Sequence, residues 1–216
     1  MSVTAIIPLK ALATAKGRLA GAMDSAQRRD LAAWMATQVI TACRDCPAID
    51  DVLLVAGDEQ AADVGRAAGA RVLVVDAPGL PAAMAAADAA TVTCEATVVV
   101  AADLPYATGA DVAAVVAAAE SADVVIAPTD DGGTGALLRR PPSVMRTAYG
   151  PSSATAHIAL AEAAGVAHVV VRRRGLAVDV DRPDQLEDTL AWRRQQAVVS
   201  PTPPHHTEES ACRKAP

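Results

Sequence analysis

The chain has 216 residues, which fits one large α/β domain. It is 52% hydrophobic with no Phe, two Trp and two Tyr, so its core must be built from Ala, Val and Leu in closely packed elements. The net charge of −6, with no basic stripe or aromatic platform, argues against a nucleic-acid partner, and no apolar run reaches the ~18–20 residues of a membrane span.

Met1-Ser-Val-Thr-Ala-Ile-Ile-Pro8 enters a buried strand, Val3–Leu9, with no charged leader or cleavage site, so the expected location is the cytoplasm. A polar loop, Lys10–Gly21, follows. Asp24 or Ser25 then caps a helix to about Cys43, with Leu31, Trp34, Met35 and Val39 at helical spacing. Cys43-Arg-Asp-Cys46 has redox-motif spacing but closes this helix, whereas redox pairs sit at a helix N-terminus; incidental thiols are the reading. Next come a strand at Asp51–Ala56, a helix at Glu59–Ala68 ended by Gly69, a strand at Arg71–Val75 and a helix at Ala82–Ala90. A strand at Ala96–Ala101, a helix at Ala110–Ala119 and a strand at Asp123–Ala127 complete the alternation. Short apolar strands between such helices imply a mostly parallel sheet covered on both faces.

The rhythm changes after Pro128. Asp130–Gly135 reads as a turn into a strand at Ala136–Arg139, which Pro141-Pro142 ends. Ser152 or Ser153 begins a helix to Ala164, strands follow at Ala167–Val171 and Leu176–Val180, and a last helix covers about Pro183–Gln196. Arg172-Arg173-Arg174 reads as a solvated turn. One domain is therefore expected over residues 1–198, and the Pro-rich tail 199–216, including His205-His206, lacks an apolar period and is expected to be disordered.

Three acids carry the first chemical signal. In a strand, Asp179 and Asp181 would project side by side, and adjacent carboxylates repel unless a cation sits between them. Asp103, just past the strand at Ala96–Ala101, would supply a third carboxylate. Oxygen-only ligands suit Mg2+, which takes one or two carboxylates and completes its shell with substrate phosphates. The loop after the first strand lies where ligands bind in open α/β sheets, and its Lys10, Lys16 and Arg18 can pair with a triphosphate. A solvated basic loop reads equally well. No Gly-x-Gly-x-x-Gly and no P-loop is present. Asp130–Gly135 is dense enough in glycine to approach an anion or to be an ordinary turn. Gly150-Pro-Ser-Ser153 opens a helix, as an anion site or as a plain serine cap, and His157 one turn on reads as structural. Asp181 also reads as the cap of the last helix.

As a set, these segments resemble a family. Ile6-Ile-Pro-Leu-Lys10…Ala15-Lys-Gly-Arg-Leu19, Ala102-Asp-Leu-Pro105, Gly132-Gly-Thr-Gly-Ala-Leu137, Tyr149-Gly-Pro-Ser-Ser153…His157 and Asp179-Val-Asp-Arg-Pro-Asp-Gln-Leu186 occur in the order seen in the phospholactate guanylyltransferases of coenzyme F-420 biosynthesis, the CofC/FbiD family. The resemblance runs over residues 2–193 and implies a single-domain nucleotidyltransferase-type (Rossmann-like) α/β fold. It also implies Mg2+-dependent transfer of GMP from GTP to 2-phospho-L-lactate, phosphoenolpyruvate or 3-phospho-D-glycerate, with release of pyrophosphate. By the same resemblance Asp103, Asp179 and Asp181 hold the metal. The backbones of Ala136 and Gly150 and the Ser153 side chain hold the acid's carboxylate, and Lys10, Lys16 and Arg18 lie on the triphosphate.

This chain departs from the family's pattern at two places. Gly79-Leu-Pro81 stands where the family usually reads Gly-Leu-Asn, which removes an amide near the expected base, and Gly135 stands where Asn is frequent, which would alter the acid pocket. The expected partners are thus GTP and a small phospho-acid, with the chain a monomer or a homodimer. The alternatives are a related nucleotidyltransferase with another base or acceptor and a nucleotide-binding module without turnover; three gathered carboxylates argue for the enzyme.

Overall fold

The computed structural model describes residues 1–75 and 79–199. The C-terminal tail after residue 199 lies outside the described residues. The elements in chain order are β1 (Val3–Leu9), α1 (Ser25–Arg44), β2 (Asp51–Ala56), α2 (Glu59–Ala67), β3 (Arg71–Val74), α3 (Leu80–Ala90) and β4 (Ala96–Val100). They continue as α4 (Gly109–Ala118), β5 (Val124–Pro128), β6 (Thr134–Arg139), α5 (Ser153–Ala163), β7 (His168–Val170) and α6 (Leu186–Val199). One seven-stranded sheet has the order β3-β2-β1-β4-β6-β5-β7. Only β6 runs antiparallel to its neighbours β4 and β5; every other pair is parallel.

Local chemistry sets the helix starts. Asp24 accepts from the Gln27 backbone N–H while the Gln27 side chain accepts from the Asp24 N–H, a reciprocal bond pair that makes Asp24, not Ser25, the cap of α1. Thr108 and Asp111 repeat the device on α4, and the Asp58 carboxylate caps α2. Such a cap contributes about 1 kcal/mol. Gly69 ends α2 in a left-handed turn at φ 76°, where a Cβ would be strained. Pro81 lies in the first turn of α3, where its missing N–H has no helical acceptor.

The five inner strands bury both faces, and successive side chains serve different layers. Ala5 and Ile7 of β1 pack with Ala36, Val39 and Ile40 of α1 and with Val112 and Val115 of α4. Ile6, between them, packs on the other face with Leu53, Val99 and Met84 of α3. Val124 and Ile126 of β5 meet Ala154 and Ala161 of α5 on that same face. Ile6 and Ile7 are wholly buried, and each such side chain contributes about 1.5–3 kcal/mol. Among the described residues no helix is long and apolar enough to cross a membrane.

One expected strand does not form. Leu176–Val180 is a 3-10 turn at Arg174–Leu176 followed by an irregular extended segment. It makes isolated bonds instead of a ladder: the Asp130 N–H donates to the Ala177 carbonyl at 2.8 Å, and the Val180 N–H donates to the Asp103 carbonyl at 3.3 Å. The alternation of apolar and acidic residues that suggests a strand comes from a segment pinned at two points with its acids facing the site. β6 starts two residues earlier than expected, at Thr134, and its antiparallel course brings that end beside the C-terminal end of β4.

Candidate active site

A cavity of about 590 Å³ opens at the C-terminal ends of β1 and β4. Its walls come from the β1–α1 loop (Lys10, Lys16, Arg18), the β4–α4 loop (Asp103), the β5–β6 turn (Asp131, Gly133), the first residue of β6 (Thr134), the approach to and start of α5 (Gly150, Ser152, Ser153) and the segment before α6 (Asp179, Asp181). Eight of the nine residues read from the sequence as site residues line this one space; Ala136 does not. Ala136 is buried inside β6, paired with Val100 on one side and Ala127 on the other, so its backbone belongs to the sheet. The residue of β6 that reaches the cavity is Thr134.

The acids are knit to the basic loop. Lys16 Nζ donates to Asp103 Oδ2 at 2.6 Å and to Asp181 Oδ1 at 2.8 Å, and Arg18 Nη1 donates to Asp181 Oδ2 at 3.3 Å. Lys16 adopts a left-handed φ of 51°, a conformation that costs a residue with a Cβ roughly 1–2 kcal/mol. Its two charge-assisted bonds, each worth about 1.5–3 kcal/mol, offset that cost. Burial would depress the Lys16 ammonium, but Asp103 and Asp181 outweigh it and hold the group above its ordinary pKa. Burial likewise works against the Asp181 carboxylate, yet Lys16, Arg18 and Lys10 keep its pKa below the usual value.

Asp179 has the opposite environment. Burial first, then the nearby Asp103, Asp131 and Asp181, push it up to about 6. Among the described residues Asp179 has no cationic partner, unlike Asp103 and Asp181. Among the described residues no three acidic, histidine or cysteine side chains are gathered tightly enough to hold a metal ion alone, since Lys16 stands between two of the acids. The donor set nonetheless suits magnesium, which needs one or two carboxylates and takes its other ligands from water and phosphate.

The opposite wall is uncharged. Gly150, at φ 150°, has open space where a Cβ would stand, so its backbone lies bare to the cavity. Ser152 occupies the cap position of α5 without a side-chain cap bond, and Ser153 Oγ bonds Thr134 Oγ1 at 2.9 Å. Neither serine therefore acts as the simple cap that the sequence also allows. Asp181 is not a cap either: its carboxylate faces Lys16 and Arg18, while the Gln185 side chain accepts from the Asp181 and Arg182 N–H groups.

Two residues of this site were not singled out from the sequence. Asp131 accepts from Thr129 Oγ1 and from the Gly133 N–H, and these bonds hold its pKa below the usual carboxylate value. Thr134 joins Ser153 to His157. The signals were an acid two residues before Gly133, as in an Asx turn, and a hydroxyl opening an otherwise apolar strand. Gly135 does not line the cavity: a Cβ there would fall on the Leu176 carbonyl oxygen, so it serves the close approach of the Asp179–Asp181 segment and not the acid pocket.

Comparison with known proteins shows what the chain is similar to. A phosphoenolpyruvate guanylyltransferase from Conexibacter woesei is 37% identical over 92% of this chain and 93% of its own length. One from Sphaerobacter thermophilus is 32% identical over 87% of this chain and 92% of its own. A nucleotidyl transferase from Methanothermobacter superposes with a TM-score of 0.64 at 14% identity, covering 92% of this chain and 99% of that one, which shows a shared fold. The family model described as guanylyl transferase CofC like matches residues 3–195. The chain belongs to this family of guanylyltransferases.

Proposed function

We propose that the protein transfers GMP from GTP to the phosphate of a small phospho-carboxylic acid, with phosphoenolpyruvate the first acceptor to test and 2-phospho-L-lactate and 3-phospho-D-glycerate the others. The observation that carries this reading is a single cavity with a cationic wall at Lys10, Lys16 and Arg18, a carboxylate cluster, and a neutral hydrogen-bonding wall at Gly150 and Ser153. The relatives named phosphoenolpyruvate guanylyltransferase support the choice of acceptor. In the reaction an oxygen of the acid's phosphate forms a bond to the α-phosphorus of GTP, the α–β bridging bond breaks, and pyrophosphate leaves. No protein nucleophile is required.

Each wall has its part. The cations of the β1–α1 loop take the charge that builds on the departing pyrophosphate. Ser153 and the bare Gly150 backbone orient the acid by its carboxylate, so that its phosphate approaches in line. Asp103, Asp179 and Asp181 would hold magnesium, which supplies charge neutralisation for the triphosphate. Lys16 then passes from carboxylate partner to phosphate partner. Residues 1–198 would form the catalytic unit, acting in the cytoplasm where both substrate classes reside, in coenzyme F-420 biosynthesis.

The test is pyrophosphate release from GTP with magnesium and each acid in turn. Release that depends on one of the three acids is the expected result. No release with any of them, or equal release without acid, removes the reading. A second reading, with another base admitted, is favoured by Pro81, which has no side-chain amide to offer at the start of α3.

A further inference from the structure

Buried behind Ser153 is a chain of three hydrogen bonds that its role as a ligand does not require. The Ala148 N–H donates to His157 Nε2 at 2.9 Å. Thr134 Oγ1 lies 3.0 Å from His157 Nδ1 and 2.9 Å from Ser153 Oγ. Thr134, Ser153 and His157 are 7%, 2% and 0% exposed, so water is all but excluded from the chain, yet Ser153 lines the cavity.

The direction of both bonds to the imidazole follows from the first link. A backbone N–H can only donate, so Nε2 must accept and carries no proton. A neutral ring then carries its proton on Nδ1, which donates to Thr134 Oγ1. The Thr134 oxygen can accept twice, so geometry alone lets either hydroxyl of the Thr134–Ser153 pair donate. An anion beside Ser153 selects one order: Ser153 donates to the anion, and the Thr134 hydroxyl, backed by the Nδ1–H, donates to Ser153 Oγ. Burial, then Arg139, hold the imidazolium pKa at about 4, so the ring stays neutral under ordinary conditions. The Tyr149 ring packs at 77° to the imidazole, 4.9 Å away between centroids, and helps hold its orientation.

We propose that His157 and Thr134 are positioning residues that back Ser153 as a hydrogen-bond donor to an anionic group in the cavity. The inference rests on the reading that Ser153 meets the carboxylate of the phospho-acid. It gives His157 a task beyond packing: a fixed donor favours a carboxylate over a neutral or donating group at the same place. A hydroxyl with three staggered orientations would lose part of that preference.

The test is a double-mutant cycle on Thr134 and Ser153, read as KM for phosphoenolpyruvate and for GTP, with folding followed by circular dichroism. Ser153→Ala is expected to raise the acid KM about ten- to a hundred-fold, the loss of one bond to a charged group. Thr134→Val keeps the shape, removes the relay, and is expected to raise the acid KM about three- to tenfold with the GTP value unchanged. Thr134→Ser should restore it. In the Ser153→Ala background, Thr134→Val should add nothing, because the relay acts only through Ser153.

The outcomes separate the two claims. An unchanged acid KM in Ser153→Ala removes the underlying assignment of the carboxylate. A raised KM there, with Thr134→Val neutral or with its effect undiminished in the double variant, overturns the relay alone. If the valine variant does not fold, His157→Asn and His157→Leu carry the same contrast. Asparagine keeps an N–H near the Nδ1 position and should hold the acid KM, whereas leucine should raise it. Equal values for those two also overturn the proposal.

Discussion

Gly135→Ala tests how the carboxylate segment is held. The new Cβ would fall on the Leu176 carbonyl oxygen, 3.1 Å from the carbonyl carbon and 3.4 Å from Thr129 Cγ2. The obstruction is backbone, so no side-chain rotation relieves it. β6 cannot simply retreat either, because the Gly135 carbonyl accepts from the Ala101 N–H at 2.9 Å. The Leu176 segment must move, and Asp179 and Asp181 move with it. Overpacking of this kind costs about 1–3 kcal/mol. For a domain of this size each kcal/mol lowers Tm by about 2–4 °C, so the expected fall is about 2–12 °C. Gly21→Ala is the control: nothing stands within 4 Å of its Cβ, and its Tm should not fall measurably. Thermal unfolding by circular dichroism gives the stability, and pyrophosphate release gives the turnover, which should fall at saturating concentrations of both substrates. A Gly135→Ala protein with the Tm and turnover of the parent would refute the claim that this contact positions the acids.

Further outcomes follow from the same geometry. Asp103→Asn and Asp179→Asn should each abolish turnover while the circular dichroism spectrum is kept; near-normal rates at saturating magnesium would remove these residues from the metal site. Pro81→Asn should sharpen the preference for GTP over ATP by about an order of magnitude in competition assays, since one hydrogen bond to the base is restored in an exposed helix turn that does not need proline. Strict GTP use by the parent protein would show that the base is read elsewhere. His157 makes stability depend on pH: its folded pKa of about 4 lies below the unfolded 6.5, so the unfolded chain binds the proton first. The contribution is complete above pH 6.5 and is lost as pH falls toward 4, by about 3 kcal/mol in all. The imidazole faces Arg139, Thr134, Tyr149 and the Ala148 amide. Chemical denaturation from pH 7 to 4 should therefore be flatter in His157→Asn, and an unchanged slope would contradict the buried neutral ring.

Much of this was legible in the chain because the signals are local. Apolar runs between helices mark β1, β2, β4 and β5, since a strand buried on both faces has no alternation to confuse with a helix. The basic loop and the acids could be placed at one sheet edge because parallel topology gathers the carboxyl ends of the strands. The segment at Leu176–Val180 misled for a physical reason: period-2 alternation reports which side faces the site and not whether a ladder partner exists. Ala136 misled because a carboxylate contact by backbone leaves no trace in side-chain identity, and only register shows that its amide lies inside the sheet. The Lys16 bridge between Asp103 and Asp181 spans a sequence separation of 165 at its longer arm, which no local pattern encodes. Thr134 and His157 look structural one at a time. Their direction appears only when the Ala148 amide is placed on the ring.

The most direct measurement of the central claim follows oxygen. Phosphoenolpyruvate labelled with 18O in the nonbridging oxygens of its phosphate is incubated with GTP, magnesium and the protein, and the products are read by 31P NMR. If the acid's phosphate attacks the α-phosphorus, the α resonance of the new nucleotide conjugate shows the isotope shift of one bridging 18O, and the pyrophosphate carries no label. An unshifted α resonance, or label in the pyrophosphate, would contradict the transfer.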